Sequence, residues 1–215
     1  RWSAMTTLAS VLGNAQPRDT KPHTAPRSRF RKPVANGLIA HCIKRPPAEW
    51  GAARRVTASE LRGYDVGWFE EPVSSDDLDG LAAIRNRIPA GIDIAAGEYA
   101  YTIGYVRRML EAHAVDVQQA DMTRCGGITA FLQIAALCEA FHLDLSGHCA
   151  PALHLHVACA APRLRHVEWF HDHVRIERML FDNAPVPRKG LIEPDLSRPG
   201  NGLVFKERDA ARYAA

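Results

Sequence analysis

The sequence predicts an α/β protein built as part of a TIM-type (β/α) barrel. Short apolar segments alternate with helical patterns along the chain, as strands and helices do in parallel α/β folds. An ionisable residue follows each apolar segment, at intervals of 28, 23, 27 and 20 residues: Glu70, Glu98, Asp121, His148 and Glu168. Each interval fits one strand plus one helix, so all five groups should reach the rim where barrels carry their chemistry.

The elements follow in chain order from residue 52. A helix is expected over residues 52–61, with Gly63 ending it, and a strand over 65–69 that Pro72 terminates. Residues 75–78 (Ser-Asp-Asp-Leu) predict a helix N-cap, and a turn at 89–91 leads into the next strand. The remaining predictions are helices at 103–113, 128–141 and 151–160, strands at 115–119, 143–146 and 167–170, and a polar helix near 206–213.

Composition is that of an ordinary globular protein, with 47% apolar and 24% charged residues. No run approaches the ~18–20 apolar residues of a membrane span, so no membrane association is expected. The five cysteines are odd in number and form no C-x-x-C pair. We therefore expect a reduced, cytoplasmic protein.

Residues 1–50 differ from the rest of the chain. They hold 9 Lys or Arg against 2 acids and 6 of the 14 prolines, whereas residues 51–215 hold 18 against 22. This basic, proline-rich segment is predicted to be disordered or foreign to the fold, which would begin at residue 51. Its few aromatic residues disfavour a nucleic-acid-binding arm.

The motifs at the strand ends resemble those of the enolase superfamily, and most closely its mandelate racemase and muconate-lactonizing group. The resemblance covers residues 52–215 and rests on W-F-E-E-P at 68–72, G-E at 97–98, Asp121 with R-C-G-G-I at 124–128, S-G-H at 146–148, and Glu168. It implies that the chain contains the C-terminal strands of an enolase-superfamily barrel.

The resemblance also implies site roles. Glu70 and Glu98 would be Mg²⁺ ligands, in keeping with the preference of Mg²⁺ for carboxylate oxygen. His148, paired with Asp121, would remove the α-proton of a small carboxylate or acid-sugar substrate, and a protonated Glu168 would hydrogen-bond the substrate carboxylate. Racemase, dehydratase and cycloisomerase chemistry all remain open, with the His–Asp pair favouring the first two.

Two further residues are predicted to bind substrate. Arg124 precedes Gly126-Gly127 at a helix start that suits an anion, although tight packing would explain those glycines equally well. His171 follows Glu168 on an expected loop, which could equally be a solvated one. Rim salt bridges are the alternative for Glu70 and Glu98, and an ion pair with Arg124 or Arg165 is the alternative for Glu168.

The sequence also departs from the family pattern. No K-x-K base motif and no D-x-N metal motif precede Glu70. We therefore expect a truncated or frameshifted family member with impaired activity, which could associate through open sheet edges as a homo-oligomer. The alternative is a non-catalytic half-barrel whose basic segment binds an acidic partner.

Overall fold

The computed structural model describes residues 67–214. The basic segment 1–50 and the helix predicted at 52–61 lie outside these residues. Five parallel strands form one sheet in the order β1-β2-β3-β4-β5, and a helix follows each strand. The strands are β1 (Trp68–Glu70), β2 (Asp93–Ala96), β3 (Val117–Ala120), β4 (Asp144–Gly147) and β5 (Leu164–Val167). The helices after them are α1 (Leu78–Arg85), α2 (Ile103–Glu111), α3 (Gly127–Ala140), α4 (Pro151–Ala160) and α5 (His171–Leu180).

The tail after α5 is a small antiparallel pair, β6 (Phe181–Asp182) and β7 (Val204–Phe205), followed by α6 (Glu207–Ala210). A 3-10 turn at Ala211–Tyr213 extends α6, so the polar helix predicted near 206–213 is present. None of the helices in residues 67–214 is long and apolar enough to cross a membrane.

The sheet curves like part of a barrel wall. β1 and β5 are its two edges, yet the rings of Trp68 and His166 lie 4.8 Å apart across the concave face. The Arg165 guanidinium lies 5.6 Å from the same Trp68 ring. The edge strands therefore approach each other over the concave face, where Trp68 also packs with Ala95 and Val117.

Helix packing on the convex face supplies the core. Residues of α2, α3 and α4, including Phe131, Ile134 and Leu155, pack with the outward side chains of β3 to β5. A second cluster joins α1 to β1 and β2 through Leu81, Phe69 and Ile94. Burial of these apolar side chains fixes each helix behind the sheet and leaves the carboxyl ends of the strands free to carry polar groups.

Local signals explain where several helices begin. The side chain of Asp77 accepts a hydrogen bond from the Gly80 amide at 2.8 Å, as the 75–78 cap predicted. Thr102 caps α2 by accepting from Tyr105 N at 3.2 Å. The α4 prediction agrees with the structure at both ends, and Pro151 at the first helical position accounts for the start.

Two predictions near the end of the barrel segment are wrong. The fifth strand covers Leu164–Val167 rather than 167–170, because the chain after Val167 leads directly into α5, whose N-cap is Phe170. A register shift at Leu145/Ser146 leaves Arg165 as an extra residue in the pairing with β4. The expected loop at 171–173 is instead the first turn of α5, which has no side-chain cap and buries only Val174. Without a capping side chain, the start of this helix has no local signal in the sequence.

Candidate active site at the carboxyl ends of the strands

The centre of the site is a hydrogen-bonded pair on neighbouring strands. Asp121 follows β3 and His148 follows β4, and His148 N donates to Ala120 O at 3.0 Å, which aligns the two strand ends. Asp121 Oδ2 lies 2.9 Å from His148 Nδ1. Asp121 Oδ1 accepts from both the amide and the hydroxyl of Thr123, at 2.8 and 2.7 Å. Both oxygens of Asp121 are thus held, and the imidazole is oriented with Nε2 toward the rest of the site.

The charge state of this pair follows from its bonds. Burial alone would raise the pKa of Asp121, but hydrogen bonds from His148 and Thr123 outweigh it and hold the pKa at about 2. Burial would likewise lower the pKa of His148, but bonds to Asp121, Cys149 and Glu98 raise it to about 12. In this arrangement the pair is a carboxylate and an imidazolium.

Glu98 reaches His148 from the neighbouring strand. Its Oε2 lies 2.6 Å from His148 Nε2, and this bond is the main cause that lowers the pKa of Glu98. Gly97 allows the chain just before Glu98 to pass close to β3. A Cβ at residue 97 would lie 2.2 Å from Gln118 Nε2 and 2.3 Å from Gln119 O. Its φ of 131° also suits only glycine.

Arg124 lies against the same acids. Its guanidinium is 3.5 Å from Asp121 Oδ2 and 3.8 Å from Glu98 Oε1, and it donates to Glu98 O at 3.2 Å. It also lies 5.3 Å from the ring of Tyr99. The guanidinium therefore sits at the edge of the cluster, half-buried, as one of its two cations.

Glu168 enters the cluster from β5 and is 2% exposed. Its oxygens accept from Gln119 Nε2 and from the amide of Cys149, each at 2.8 Å. Burial, and then the negative charge of Glu70, raise the pKa of Glu168 to about 8. The ion-pair alternative for Glu168 is not seen, since Arg165 pairs with Asp93 and Arg124 with Glu98 and Asp121.

Glu70 and Glu71 complete the acidic cluster at the end of β1. Glu70 is 3% exposed and its Oε2 accepts from Trp68 Nε1 at 3.0 Å. Glu71 donates its amide to Ala95 O at 2.8 Å, and its Oε1 is 3.4 Å from Gly97 N. Burial first, with repulsion from Glu98 and Glu70, raises the pKa of Glu71 to about 7.

This excess of acid fits a hard divalent cation. Glu70, Glu71, Glu98 and Glu168 share a small region with two cationic partners, and burial, followed by repulsion between the carboxylates, raises the pKa of Glu71 and of Glu168. A magnesium ion prefers carboxylate oxygen and would relieve that repulsion. The donor set at the ends of β1 and β2 is therefore compatible with Mg²⁺.

His171 is the one predicted site residue that the structure does not bring into the cluster. It begins α5 with its side chain 87% exposed, and its ring contacts Asp172 at 3.2 Å. Gln119, which holds Glu168, is a site residue that the sequence motifs do not predict. The period of two along a strand could have found it. Gln119 lies two residues before Asp121 and therefore points to the same, concave face of the sheet.

Comparison with known proteins identifies the fold. Residues 48–210 match the family model described as "Enolase C-terminal domain-like". The chain belongs to this family. It is 30% identical over 168 residues to a 3,6-anhydro-alpha-L-galactonate cycloisomerase of Streptomyces coelicolor, an alignment that covers 76% of this chain and 43% of the relative.

Two solved structures extend the comparison within the enolase superfamily. A mandelate racemase/muconate lactonizing enzyme-like protein from Rubrobacter xylanophilus shares 45% identity and a TM-score of 0.71, over 74% of this chain and 44% of that one. An L-talarate dehydratase from a Polaromonas species, complexed with Mg and L-glucarate, shares 33% identity and a TM-score of 0.62, over 73% and 43%. The chain thus spans less than half the length of these relatives. The predicted superfamily and barrel-type fold are confirmed.

Proposed function

We propose that this site removes the α-proton of a small hydroxy-carboxylate or acid sugar with the help of Mg²⁺, and that the reaction is a dehydration. The observation that carries the proposal is the His148–Asp121 pair, whose Nε2 faces a cluster of buried carboxylates. Support also comes from a related structure, the L-talarate dehydratase that holds Mg and L-glucarate.

His148 is the proposed base. Asp121 keeps the proton on Nδ1 and stabilises the imidazolium that forms when Nε2 accepts the substrate proton. Before that step, Nε2 must give up the proton that it shares with Glu98 at 2.6 Å. Coordination of Mg²⁺ by Glu98 would neutralise a carboxylate charge that helps to hold this proton, so the proton would pass to solvent and leave Nε2 as a base.

Charge on the substrate carboxylate must be stabilised as the α-proton leaves. Mg²⁺, held by Glu70 and Glu98, would supply positive charge there and make the α-proton more acidic. The pKa of Glu168 is raised to about 8, so the group is protonated at neutral pH and donates a hydrogen bond to the same carboxylate. Gln119 and the Cys149 amide fix its position.

Dehydration needs one base that then serves as an acid. His148 takes the proton as the α C–H bond breaks, a C=C bond forms, and the C–O bond to the β-hydroxyl breaks while His148 returns its proton to release water. Racemisation by two bases would need a second basic group on the opposite face of the substrate, a role that no residue in this proposal fills. One base and two predicted metal ligands should give this chain slow turnover.

The test is α-proton exchange. The protein is incubated with Mg²⁺ and a panel of aldonates and aldarates in D₂O, and NMR follows deuterium at the α-carbon and formation of the 2-keto acid. We expect at least one substrate to exchange or dehydrate, and the signal to vanish in His148→Asn. A matched control is His142→Asn, an exposed residue with φ 55° at the end of α3, where Asn is tolerated.

Two results would count against the proposal. The first is a panel with neither exchange nor keto acid at high protein concentration. The second is exchange that survives in His148→Asn, which would assign the base elsewhere.

The second candidate function is non-catalytic. The strong positive charge of residues 1–50 favours binding of an acidic partner by that segment, with the half-barrel as a scaffold. Binding of a polyanion that weakens steeply with salt and is unchanged in His148→Asn would favour this candidate.

A further inference from the structure

A thiol lies beside the proposed base. Cys149 Sγ is 3.1 Å from His148 Nε2, and both groups lie near the carboxylate of Glu168. One ligand atom from each of His148, Cys149 and Glu168 falls within 4.8 Å of the others, and no other His, Cys, Asp or Glu set in residues 67–214 meets that geometry. Proton abstraction uses the imidazole and the carboxyl but gives the thiol no task.

The three groups are tied together by the protein itself. Asp121 holds His148 Nδ1 at 2.9 Å, the carboxylate–histidine arrangement that orients Nε2 in metal sites. The amide of Cys149 donates to Glu168 Oε2 at 2.8 Å, which fixes that carboxylate next to the thiol. Cys149 and Ala150 both adopt left-handed backbone, with φ of 49° and 36°, a conformation that non-glycine residues rarely take. The turn thus keeps the thiol at the site.

The donor types differ from those of the acidic cluster. Imidazole nitrogen, thiolate sulfur and one carboxylate oxygen form a donor set typical of zinc, whereas magnesium prefers oxygen ligands alone. At the usual zinc bond lengths, tetrahedral N and S ligands lie about 3.5 Å apart. The observed 3.1 Å between Nε2 and Sγ needs only a small adjustment.

We propose that His148, Cys149 and Glu168 form a binding site for a thiophilic divalent cation such as Zn²⁺, distinct from the carboxylate site expected for Mg²⁺. Binding releases three protons to solvent, namely the thiol proton, the proton that Nε2 shares with Glu98 and the proton on Glu168, and water completes the coordination. No oxidation is involved.

A cation on Nε2 would also occupy the atom that accepts the substrate proton. Zinc would therefore block the reaction, a consequence that rests on the proposed function. Metal binding itself does not depend on turnover, so a chain without activity still tests the site.

The first experiment uses Co²⁺ as a spectroscopic probe. We expect one equivalent of Co²⁺ to produce a thiolate-to-metal charge-transfer band that Zn²⁺ abolishes and that excess Mg²⁺ leaves unchanged. The band should be lost in Cys149→Ser and kept in Cys42→Ser, whose cysteine lies outside the described residues. Absence of the band in the parent would overturn the proposal. A band that is lost in Cys42→Ser but kept in Cys149→Ser would also overturn it.

The second experiment needs no substitution, in case Cys149→Ser does not fold. The parent chain is alkylated with iodoacetamide with and without Zn²⁺, and peptide mass spectrometry reads each cysteine. Cys149 is half-buried, while Cys125, Cys138 and Cys159 are buried. We expect Zn²⁺ to slow alkylation of Cys149 at least tenfold and to leave Cys42 unaffected. Equal alkylation of Cys149 with and without Zn²⁺ would refute the site.

Discussion

The two ends of the same sheet treat their acidic residues in opposite ways. At the amino ends of the strands, Asp93, Asp116 and Asp144 each pair with one arginine, respectively Arg165, Arg85 and Arg163. These ion pairs are partly exposed, and each acid has its own cation. At the carboxyl ends the acids are more deeply placed and outnumber their cations.

The carboxyl-end acids share partners instead of having one each. Asp121 and Glu98 both contact His148, and Arg124 also lies against the same two acids. Glu70 and Glu168 are nearly inaccessible, and the negative charge of Glu70 helps raise the pKa of Glu168. At the amino end of the sheet, each carboxylate is paired with an arginine of the same chain. At the carboxyl end, an excess of negative charge is left, which a bound cation would neutralise. This contrast supports the proposal that the carboxyl end carries the functional site.

The largest effect is expected for Asp121→Asn. Removing one partner of a buried ion pair leaves His148 without its main counter-charge, so the free energy of unfolding should fall by about 3–5 kcal/mol. The folded-state pKa of Asp121, about 2, lies below the unfolded value of about 3.9. The stabilisation is therefore fully present above pH ~4 and is lost as the pH falls toward 2.

Urea unfolding of parent and Asp121→Asn at pH 7 and at pH 2.5 measures this prediction. The difference between the two proteins should be large at pH 7 and much smaller at pH 2.5. Equal stability at pH 7 would mean that the pair contributes nothing to folding.

A smaller effect, confined to acid, is expected for His166→Phe. His166 lies on the concave face between the two ends, and its Nε2 has no hydrogen-bond partner within the described structure. Burial, and then the charge of Arg165, lower its pKa to about 4. Because the unfolded chain binds a proton below pH ~6.5, stability present above that pH is lost as the pH falls toward 4.

Phenylalanine keeps the edge contact with Trp68 and has no proton to bind. Relative to the parent, His166→Phe should therefore gain about 3 kcal/mol between pH 7 and pH 4. Chemical denaturation at the two pH values tests this, and a constant difference would show that His166 does not resist protonation.

The smallest effect is expected for Asp144→Asn at the amino end. Its pair with Arg163, at 2.9 Å, is more than one-third exposed on both side chains. Such pairs contribute about 0–1 kcal/mol, so the melting temperature should shift by no more than a few degrees, and less in high salt. A loss as large as that of Asp121→Asn would remove the contrast between the two ends.

The sequence is most informative where chemistry and chain geometry coincide. Ionisable residues at the ends of successive parallel strands must share one rim, so the amino-acid sequence alone predicts that Asp121, His148 and Glu168 meet. The start of α4 follows from Pro151 at the first turn. The shared rim and the start of α4 are predictable because each depends only on residues close in sequence or on the adjacent strand.

Features that depend on distant packing are not predictable in this way. β5 pairs with β4 through a register shift that leaves Arg165 as an extra residue, and Arg165 forms an ion pair with Asp93 of β2. α5 has no capping side chain and a low overall apolar content, so its first turn carries no start signal in the sequence. The left-handed turn at Cys149 that brings a thiol to the base is likewise a product of the folded site.

A magnesium titration followed by thermal melting tests the central claim, that the carboxyl end of the sheet is built to hold a cation. We predict that Mg²⁺ raises the melting temperature of the parent and of Asp144→Asn in a saturable way, and does not raise that of Glu98→Gln. A parent that does not respond to Mg²⁺, or a Glu98→Gln variant that responds equally, would contradict the account.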